Sequence, residues 1–315
     1  MKILVTGGAG YLGAHVATQL LEAGHKVRVY DDFSTGSFKR LSGKFHNVIE
    51  GSILDKYPLI QAMDGQDAVI HLAGKKFVDE SNVLPIEYYD NNISGTINVL
   101  EAMKITGVKK LVFASSAAVY SPVDDSPVSE DSNLGPASVY GITKLMAEEI
   151  IERAAIAENF SVTALRYFNL WGCRSNQLKD TAKSNLISNT LELLSAGRLP
   201  QIYGTDYPTP DGTAVRDYIH VDDAASATVA AVEALKASTS FSIYNVGSGE
   251  GHSIKEVLTT LSSVVGNPIE SEAMPRRLGY PSVVASVDKI KAELNWVPKY
   301  DLKEMITSTW SSWGA

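Results

Sequence analysis

The sequence predicts an α/β protein with a doubly wound, mostly parallel sheet, followed by a smaller mixed α/β lobe. Short apolar runs alternate with helical patterns through the first half of the 315-residue chain. This spacing implies right-handed crossovers between parallel strands. A glycine-rich turn joins the first strand to the first helix, and the alternation breaks from Tyr167 onward. We therefore expect two domains, residues 1–166 and 167–315, with 216–246 returning to the first.

The elements of the first domain follow from their apolar patterns. Residues 2–5 form a short apolar run, and Leu12, Val16 and Leu20 are spaced four apart, which predicts a strand and then an amphipathic helix. Residues 33–45 are rich in Ser, Gly and Lys and predict a loop with one helical turn. The same criteria predict strands at 26–30, 47–50, 68–72, 110–115 and 161–166, and helices near 59–63, at 86–106 and at 139–159.

The second half is less regular. Residues 172–183 and 207–213 predict loops, because they are polar or rich in Pro, Gly and Asp. Helices are expected at 185–196, 222–236 and 253–265, strands at 216–221 and 242–246, and two further helices at the C-terminus. In such folds ligands lie at the carboxyl ends of the strands, which predicts a site between the two lobes.

The glycine-rich turn has the spacing of a dinucleotide-binding fingerprint. Gly8, Gly10 and Gly13 give the pattern Gly-x-Gly-x-x-Gly, and Gly7 begins an overlapping version one residue wider. A side chain there would hold the backbone away from a pyrophosphate, which the first helical turn would otherwise bind. Asp31 and Asp32 follow the second strand, where a carboxylate accepts the ribose hydroxyls and so favours NAD over NADP. The alternative for Asp31 is a cap of the turn after the strand.

Composition excludes several classes of function. The net charge of −8 argues against a general binder of nucleic acid or of anionic membranes. Cys173 is the one cysteine, so no internal disulfide forms, and a cytoplasmic location is expected. The first apolar run is too short for a signal peptide, and no stretch is long enough for a membrane span. The six histidines are scattered, so no metal site is expected.

Tyr140 and Lys144 form the most specific candidate for chemistry. They are four residues apart in a predicted helix and therefore share one face. A free tyrosine has a pKa of about 10, and a neighbouring ammonium group together with the positive nicotinamide ring of NAD favours the phenolate. The pair could then remove a proton from a sugar hydroxyl. The alternative is a surface tyrosine beside a solvated lysine.

Other polar residues lie where the cleft is expected. Ser115 and Ser116 close a strand, where a hydroxyl could relay a proton or could cap the local backbone. Lys76 and Asn92 could contact a cofactor, or could be a solvated lysine and a helix-surface amide. Arg216 and Arg277, in the second half of the chain, are candidates for binding a diphosphate or for ordinary ion pairs.

Together these residues resemble the extended short-chain dehydrogenase/reductase family, and within it the nucleotide-sugar 4-epimerases. The similarity covers nearly the whole chain and is carried by residues 5–13, 71–76, 88–92, 115–120, 140–144 and 166–169. The most specific stretch is Gly-Thr-Asp-Tyr-Pro-Thr-Pro-Asp-Gly-Thr at 204–213, which leads into Val-Arg-Asp-Tyr-Ile-His-Val at 215–221.

The resemblance implies a Rossmann domain that binds NAD and a lobe that binds a nucleotide sugar. It implies epimerisation at C4, with UDP-glucose and UDP-galactose as the expected pair, through transient oxidation to a 4-keto sugar. It also implies a homodimer in which the helices at 86–106 and 139–159 form a four-helix bundle.

The resemblance assigns three sets of residues. The implied catalytic residues are Ser116, Tyr140 and Lys144. The implied NAD-binding residues are Gly7, Gly10, Tyr11, Leu12, Gly13, Asp31, Asp32, Ser52, Ile53, Leu72, Ala73, Gly74, Lys76, Asn92, Tyr140, Lys144 and Phe168. The implied substrate-binding residues are Lys76, Ser116, Tyr140, Asn169, Asn185, Leu186, Gln201, Tyr203, Arg216, Tyr218, Arg277 and Tyr280.

The chain departs from the family pattern in three places. Ser52 stands where the family usually has an acid that binds the adenine amino group, which is expected to weaken NAD retention. Residues 172–183 are shorter than usual. Tyr280 replaces an aspartate expected to bind the uridine ribose, and a phenol cannot accept two hydroxyls as a carboxylate does. All three changes concern the nucleotide ends of the ligands.

Other functions on the same scaffold remain as alternatives. A second nucleotide-sugar epimerase, or a dehydrogenase with exchangeable NAD, would use the same Tyr140 and Lys144. A 4,6-dehydratase would need an extra acid and base where Ala117 and Ala118 stand. A non-catalytic NAD-sensing protein would have no need of the Tyr140–Lys144 pair.

Overall fold

The computed structural model describes residues 1–41, 43, 45–121, 127–182, 186–236, 238–276 and 280–313. Its residues fall into two units. Unit 1 comprises Met1–Ser121, Leu134–Tyr167 and Ala225–Tyr244, and unit 2 comprises Pro122–Asn133, Phe168–Ala224 and Asn245–Ala315. The assignment of an NAD-binding role to one part and a sugar-binding role to the other stays a prediction.

The strands are β1 (Lys2–Thr6), β2 (Lys26–Asp31), β3 (Val48–Glu50), β4 (Ala68–His71), β5 (Lys110–Ser116), β6 (Ser161–Tyr167), β7 (Asn169–Trp171), β8 (Gln201–Tyr203), β9 (Val215–His220), β10 (Ser240–Val246), β11 (Gly251–Ser253), β12 (Glu272–Met274) and β13 (Ser282–Val283). The α-helices are α1 (Tyr11–Glu22), α2 (Phe38–Leu41), α3 (Lys56–Met63), α4 (Val78–Val83), α5 (Pro85–Tyr89), α6 (Gly95–Thr106), α7 (Val139–Glu158), α8 (Leu186–Ser195), α9 (Val221–Ala234), α10 (Ile254–Val265), α11 (Asp288–Leu294) and α12 (Leu302–Trp313).

A seven-stranded sheet organises unit 1, in the order β10-β6-β5-β4-β1-β2-β3. The pairs β1–β2, β2–β3, β1–β4, β4–β5 and β5–β6 are all parallel. The chain moves outward from β1 through β2 to β3 and then returns to the other side of β1 at β4. Strand order therefore reverses beside β1, and ligands bind at such a reversal in doubly wound sheets. The predicted fold class is confirmed.

Helices α3, α6 and α7 pack over one side of this sheet. Their buried side chains share one apolar cluster with the strands: Met63, Val99, Met103, Ala147 and Ile151 contribute from the helices, and Leu4, Val69, Leu111, Phe113 and Val162 from the strands. Strands that are covered on both faces are buried along their whole length, as β6 is, even at its polar residues Ser161, Thr163 and Arg166. The core thus fixes α7, the helix that carries Tyr140 and Lys144, against β5 and β6.

Unit 2 has its own small sheets and core. Strands β11, β9 and β13 lie side by side, β7 also pairs with β9, and β8 pairs with β12. Trp171 and Tyr218 stack with their ring centroids 3.6 Å apart, among side chains from α8, α10 and α12 such as Leu191, Leu261 and Ile306.

The structure corrects three predictions of secondary structure. The segment 216–246 does not return to the large sheet as a whole, because β9 pairs with β7, β11 and β13 instead. The short strands β7, β8, β11, β12 and β13 were not predicted, since two or three residues are too few to show a period. The helix at 86–106 is divided by a π-helical turn at Asp90–Ser94.

Candidate active site

The glycine turn in unit 1 has no room for side chains. Gly7 has a φ of +69°, and a Cβ on Gly13 would lie 2.1 Å from the Gly7 carbonyl oxygen. Helix α1 starts after Gly10 with no side-chain cap and no acidic residue in its first turn. The first N–H groups of a helix have no acceptor within it, so those of Tyr11 and Leu12 can bind an anion. The residues present therefore fit the pyrophosphate of a dinucleotide.

Asp31 stabilises this turn by accepting hydrogen bonds on both of its carboxylate oxygens. Its Oδ2 accepts from the Ala9 N–H at 2.8 Å and its Oδ1 from the Phe33 N–H at 2.9 Å. Burial raises the pKa of Asp31, and these two hydrogen bonds oppose the rise. The capping role that was the alternative for Asp31 is therefore present, and the carboxylate keeps further lone pairs for a ribose. Asp32 is exposed and caps Ser34.

Ser52 and Ile53 lie after β3. The Ser52 hydroxyl accepts from the Leu54 N–H at 3.2 Å, and its carbonyl accepts from the Tyr30 hydroxyl at 2.9 Å. Ile53 is buried, and its side chain would meet any Cβ at Gly95. The local role of Ser52 is thus to close a turn.

The segment after β4 passes directly over the glycine turn. A Cβ on Gly7 would lie 2.6 Å from the Ala73 nitrogen, and the Leu72 N–H donates to the Thr6 carbonyl at 3.1 Å. A Cβ on Gly74 would lie 3.6 Å from Lys144 Nζ. Gly74 therefore links the glycine turn to the Tyr140–Lys144 helix.

Lys76 and Asn92 have different local surroundings. Lys76 is exposed, with Nζ 6.0 Å from the centre of the Tyr11 ring. Asn92 lies in the π-helical turn, where its Oδ1 accepts from the Lys75 N–H and its Nδ2 donates to Lys75 and Thr143. The Asn92 amide therefore joins the loop after β4 to α7. It acts on the site through these residues.

Three neighbouring side chains fix the start of α7. The Ser138 hydroxyl accepts from the Gly141 N–H at 3.1 Å. From α4, the Ser81 hydroxyl accepts from the Tyr140 N–H at 3.1 Å, and Asn82 accepts from the Val139 N–H at 3.2 Å. These bonds satisfy orphan donors of the first turn and set the position of Tyr140.

Lys144 lies one turn further along the same face, as its spacing predicts. Its Nζ donates to the Ala114 carbonyl at 2.8 Å, and lies 5.0 Å from the Phe113 ring centre and 5.9 Å from that of Tyr140. The side chain is 7% exposed. Burial lowers the pKa of Lys144 to about 8, and the Glu148 carboxylate opposes this.

Burial has a large effect on Tyr140 that the sequence did not indicate. In the chain alone, burial of the phenol raises the pKa of Tyr140, and the Ser116 side chain lowers it only in part. Desolvation dominates because the charged phenolate loses water in a half-buried position. Ser116 and Tyr140 are nevertheless brought together as predicted.

Sequence reasoning missed several residues around this pair. Glu148 and Arg166 form a buried ion pair behind Lys144, with Arg166 Nη2 2.7 Å from Glu148 Oε2. Buried Arg40 donates to the Ala9 carbonyl beside Asp31. Glu148 continues the four-residue spacing of Tyr140 and Lys144, which was a usable signal. The position of Arg40 depends on how the loop folds and had no such signal.

His71 belongs to the same polar layer of unit 1. It is bonded to Thr6 at 2.8 Å and to Thr96 at 3.2 Å. Burial, and then the charge of Lys144, lower the pKa of His71 to about 3. It is therefore neutral in the physiological range and holds β1, β4 and α6 together.

Unit 2 brings together Arg216, Tyr218 and Tyr280. Arg216 Nη1 donates to the Val215 carbonyl at 2.7 Å, and within the described residues no carboxylate pairs with this guanidinium. The Tyr280 hydroxyl is buried without a hydrogen-bond partner. Its pKa is raised by burial and lowered by Arg216. A guanidinium that no carboxylate neutralises and a phenol without a hydrogen-bond partner form a cradle suited to an anionic, oxygen-rich ligand.

The remaining predicted substrate residues are spread through unit 2. Asn169 donates from Nδ2 to the Asp217 carbonyl at 2.8 Å. Gln201 accepts from the Tyr203 hydroxyl at 2.7 Å on β8. Leu186 opens α8 and is partly buried, and Phe168, predicted to touch the cofactor, is buried at the start of unit 2. Asn185 and Arg277 lie outside the described residues.

Neither a metal-binding cluster nor a membrane-spanning helix is found in the described part of the chain. No cluster of three or more His, Cys, Asp or Glu side chains there could hold a metal ion. No helix among these residues is both long and apolar enough to cross a membrane.

Known proteins resemble this chain over almost its full length. It is 40% identical to the UDP-glucose 4-epimerase of Corynebacterium glutamicum, over 99% of this chain and 95% of that one. A UDP-glucose 4-epimerase from Stenotrophomonas maltophila, crystallised with NAD and formylated UDP-arabinopyranose, superimposes with a TM-score of 0.93 at 36% identity. It covers 99% of this chain and 97% of its own.

A second solved structure gives the same result. The UDP-glucose 4-epimerase from Brucella ovis in complex with NAD superimposes with a TM-score of 0.94 at 35% identity, over 99% of this chain and 98% of that one. Residues 3–247 match the sequence profile described as the NAD dependent epimerase/dehydratase family. The chain belongs to the NAD-dependent epimerase/dehydratase family.

Proposed function

We propose that this chain is an NAD-dependent nucleotide-sugar 4-epimerase, with UDP-glucose and UDP-galactose as its preferred pair. The observation that carries this is the arrangement in unit 1: the Tyr140 phenol lies within the influence of the Ser116 hydroxyl and one helical turn from the Lys144 ammonium. The uncapped glycine turn of the same unit supplies the dinucleotide site.

Tyr140 is the general base and acid for the sugar 4-hydroxyl. Ser116 binds the same oxygen and hands the proton to Tyr140, and the Lys144 ammonium stabilises the phenolate. NAD+, when bound, supplies the hydride acceptor and a positive charge beside the phenol. This added charge matters because burial alone raises the pKa of Tyr140. Gly7, Gly10, Gly13 and Asp31 hold the cofactor.

Arg216 anchors the diphosphate of the substrate. A half-buried guanidinium with no carboxylate partner in the described residues is suited to binding an anion, and a diphosphate matches its planar donors. Tyr218, stacked on Trp171, and Tyr280 line the same cradle in unit 2. Anchoring through the diphosphate would leave the sugar able to turn and to present either face of C4 to the cofactor.

The decisive experiment supplies UDP-galactose to the purified protein without added reductant. UDP-glucose should form, and mass spectrometry of the nucleotides released on denaturation should identify NAD. If UDP-galactose and the corresponding dTDP- and CDP-hexoses are all left unchanged, the epimerase proposal fails, and NAD sensing becomes the better explanation.

The assembly and location are part of this proposal. Helices α6 and α7 expose apolar side chains, with Ile105 59% and Ile156 64% exposed. Two copies of this face would form a four-helix bundle, so the protein is a homodimer. One cysteine in 315 residues suits a reducing compartment, so the protein acts in the cytoplasm.

A further inference from the structure

A buried ion pair lies directly behind the Tyr140–Lys144 pair. Glu148 is 4% and Arg166 1% exposed, and Arg166 binds the carboxylate through Nε at 3.0 Å and Nη2 at 2.7 Å. Burying two charges costs more than burying apolar side chains of similar size, so stability alone does not explain such a pair. The position of the pair beside the candidate site points to a functional role.

Glu148 continues the row formed by Tyr140 and Lys144. The three residues occupy successive turns of one face of α7, four positions apart. The row thus places a phenol, an ammonium and a carboxylate in order along the helix. Lys144 is the middle member and lies one turn from each of the other two.

Glu148 also holds the end of β5. Its Oε1 accepts a hydrogen bond from the buried Ser115 hydroxyl. Ser115 stands between Ala114, whose carbonyl accepts from Lys144 Nζ, and Ser116, which bonds with Tyr140. The Glu148 carboxylate is therefore bonded to the same segment of β5, residues 114–116, that contacts Lys144 and Tyr140.

Arg166 keeps this carboxylate in place. Its Nη1 donates to the Tyr120 hydroxyl at 3.1 Å, and its guanidinium carbon lies 4.9 Å from the centre of the Tyr120 ring. Fixed from β6 and from the turn after β5, Glu148 cannot turn away from its neighbours without breaking these contacts.

We infer that Glu148, fixed by Arg166, is a positioning residue for the epimerisation site, which holds the Lys144 ammonium charged and keeps Ser116 beside Tyr140. The inference rests on the proposed function. Glu148 touches no substrate, and it acts through Lys144 and Ser115.

The groups around Lys144 leave Glu148 as its source of negative charge in the described structure. Tyr140 shares its helix, neutral His71 faces it from β4, and the Arg166 cation of β6 is paired with Glu148. Burial lowers the pKa of Lys144 to about 8, and Glu148 is the group that opposes this fall. Without Glu148, a larger share of Lys144 would be neutral near physiological pH.

The test replaces the pair by apolar residues of similar size, in the double variant Glu148→Met/Arg166→Met. Such replacements of buried ion pairs commonly fold as well as the original. The Lys144 pKa is measured by carbon-13 NMR of ε-labelled lysine in the protein as purified, with the signal assigned by its loss in Lys144→Met. We expect the Lys144 pKa to fall in the double variant, and to fall further, by roughly one to two units, in Glu148→Gln, which removes the carboxylate and keeps the Arg166 cation.

Kinetics provide the second readout. The high-pH limb of the kcat profile should move down with the Lys144 pKa, so kcat on that limb falls about tenfold or more while KM for UDP-galactose is retained. The matched control is Lys104→Met/Glu158→Met, which removes an exposed ion pair between α6 and α7. The control should leave both the Lys144 signal and the pH profile at wild-type values.

A folded double variant with the wild-type Lys144 pKa and pH profile would overturn the inference. If the double variant does not fold, Glu148→Gln, which keeps the size and an acceptor for Arg166, is measured in the same way. A wild-type Lys144 pKa in that variant would overturn the inference. Wild-type protein that epimerises no nucleotide sugar would instead refute the proposed function, and the NMR titration would still report on Glu148.

Discussion

Several residues of the site hold the local backbone in place and are also expected to bind a ligand. Asp31 is expected to bind a ribose, yet each of its carboxylate oxygens already accepts a backbone N–H from the loops that it joins. Asn92 likewise has its whole amide engaged with Lys75 and Thr143. Such residues organise the binding surface as well as lining it, so substituting them would disturb both folding and binding.

Tyr140→Phe separates chemistry from binding. The hydroxyl is removed while the ring and the fold stay, so NAD and substrate should bind as before and kcat should fall by about 10²–10⁴-fold. Steady-state kinetics and the nucleotide content of the purified variant measure this. A variant that turns over at the wild-type rate would remove Tyr140 from its proposed role.

Gly13→Ala tests the steric demand of the glycine turn. The added methyl would lie 2.1 Å from the Gly7 carbonyl oxygen, whereas at Gly10 the nearest atom is 3.1 Å away. Overpacking of this kind costs about 1–3 kcal/mol. Thermal unfolding should show a clear loss of stability and of bound NAD for Gly13→Ala, and a smaller loss of stability for Gly10→Ala. Equal melting temperatures for the two variants would contradict this.

Asp217 predicts a pH dependence of stability in unit 2. Burial raises the pKa of Asp217 to about 6, against hydrogen bonds from Ser248, Gly249 and Ala285. A carboxyl whose folded pKa lies above its unfolded value of 3.8 holds its proton more tightly when folded. Its contribution is full below that unfolded value and is lost as the pH rises through about 6, a total of about 3 kcal/mol.

Urea unfolding at several pH values measures this effect. The free energy of unfolding of the wild type, relative to that of Asp217→Asn, should fall between the two pKa values and then level off. Parallel curves for the two proteins across this range would show that Asp217 does not titrate as expected.

Among the elements, α7 carries both core side chains and the proposed catalytic residues Tyr140 and Lys144. Its buried face packs on the sheet through Ala147 and Ile151, while its first turn is capped by Ser138 and by two residues of α4. The apolar spacing that predicts this helix is visible in the sequence. The contacts from α4 were not predictable, because they join residues about sixty positions apart, as the Ser81–Tyr140 bond does.

Ser138→Ala tests whether the cap positions Tyr140. Losing an N-cap hydroxyl costs about 1 kcal/mol of stability. Because the first turn carries Tyr140, kcat should also fall, by about tenfold. Ser253 caps α10 with the same geometry, at 3.1 Å from the Glu256 nitrogen. Ser253→Ala should lower the melting temperature and leave kcat unchanged, and a similar fall in kcat for both would show a general effect of stability.

For the molecule as a whole, the sequence predicts the large sheet better than the small ones. Six of its strands are apolar runs next to turn residues, and their alternation with helices determines the parallel order. The short strands of unit 2 depend on pairing between distant segments, such as β7 with β9, and carry no local signal. The rise that burial causes in the pKa of Tyr140 was not predictable from the sequence, because burial is a property of the folded chain.

The proposed dimer is testable at this scale. Ile105→Glu combined with Ile156→Glu would place charges on the exposed apolar face of α6 and α7, so the molar mass by light scattering should halve. Tyr57→Glu is the control, because Tyr57 is 72% exposed on α3. Wild-type protein that runs as a monomer at micromolar concentration would contradict the dimer outright.

The π-helical turn at Asp90–Ser94 makes chain length, as well as composition, a constraint on this protein. A π turn holds one residue more than an α-helical turn needs, and here it presents Asn92 to the loop after β4. Deleting one residue of this turn would restore a regular α-helix and keep α6 in phase with α5, because the wider turn is what absorbs the extra residue. Buried Val99 and Met103 would then stay in the core while Asn92 would lose its contacts with Lys75, so a single-residue deletion within Asp90–Ser94 should disturb the candidate site more than the core.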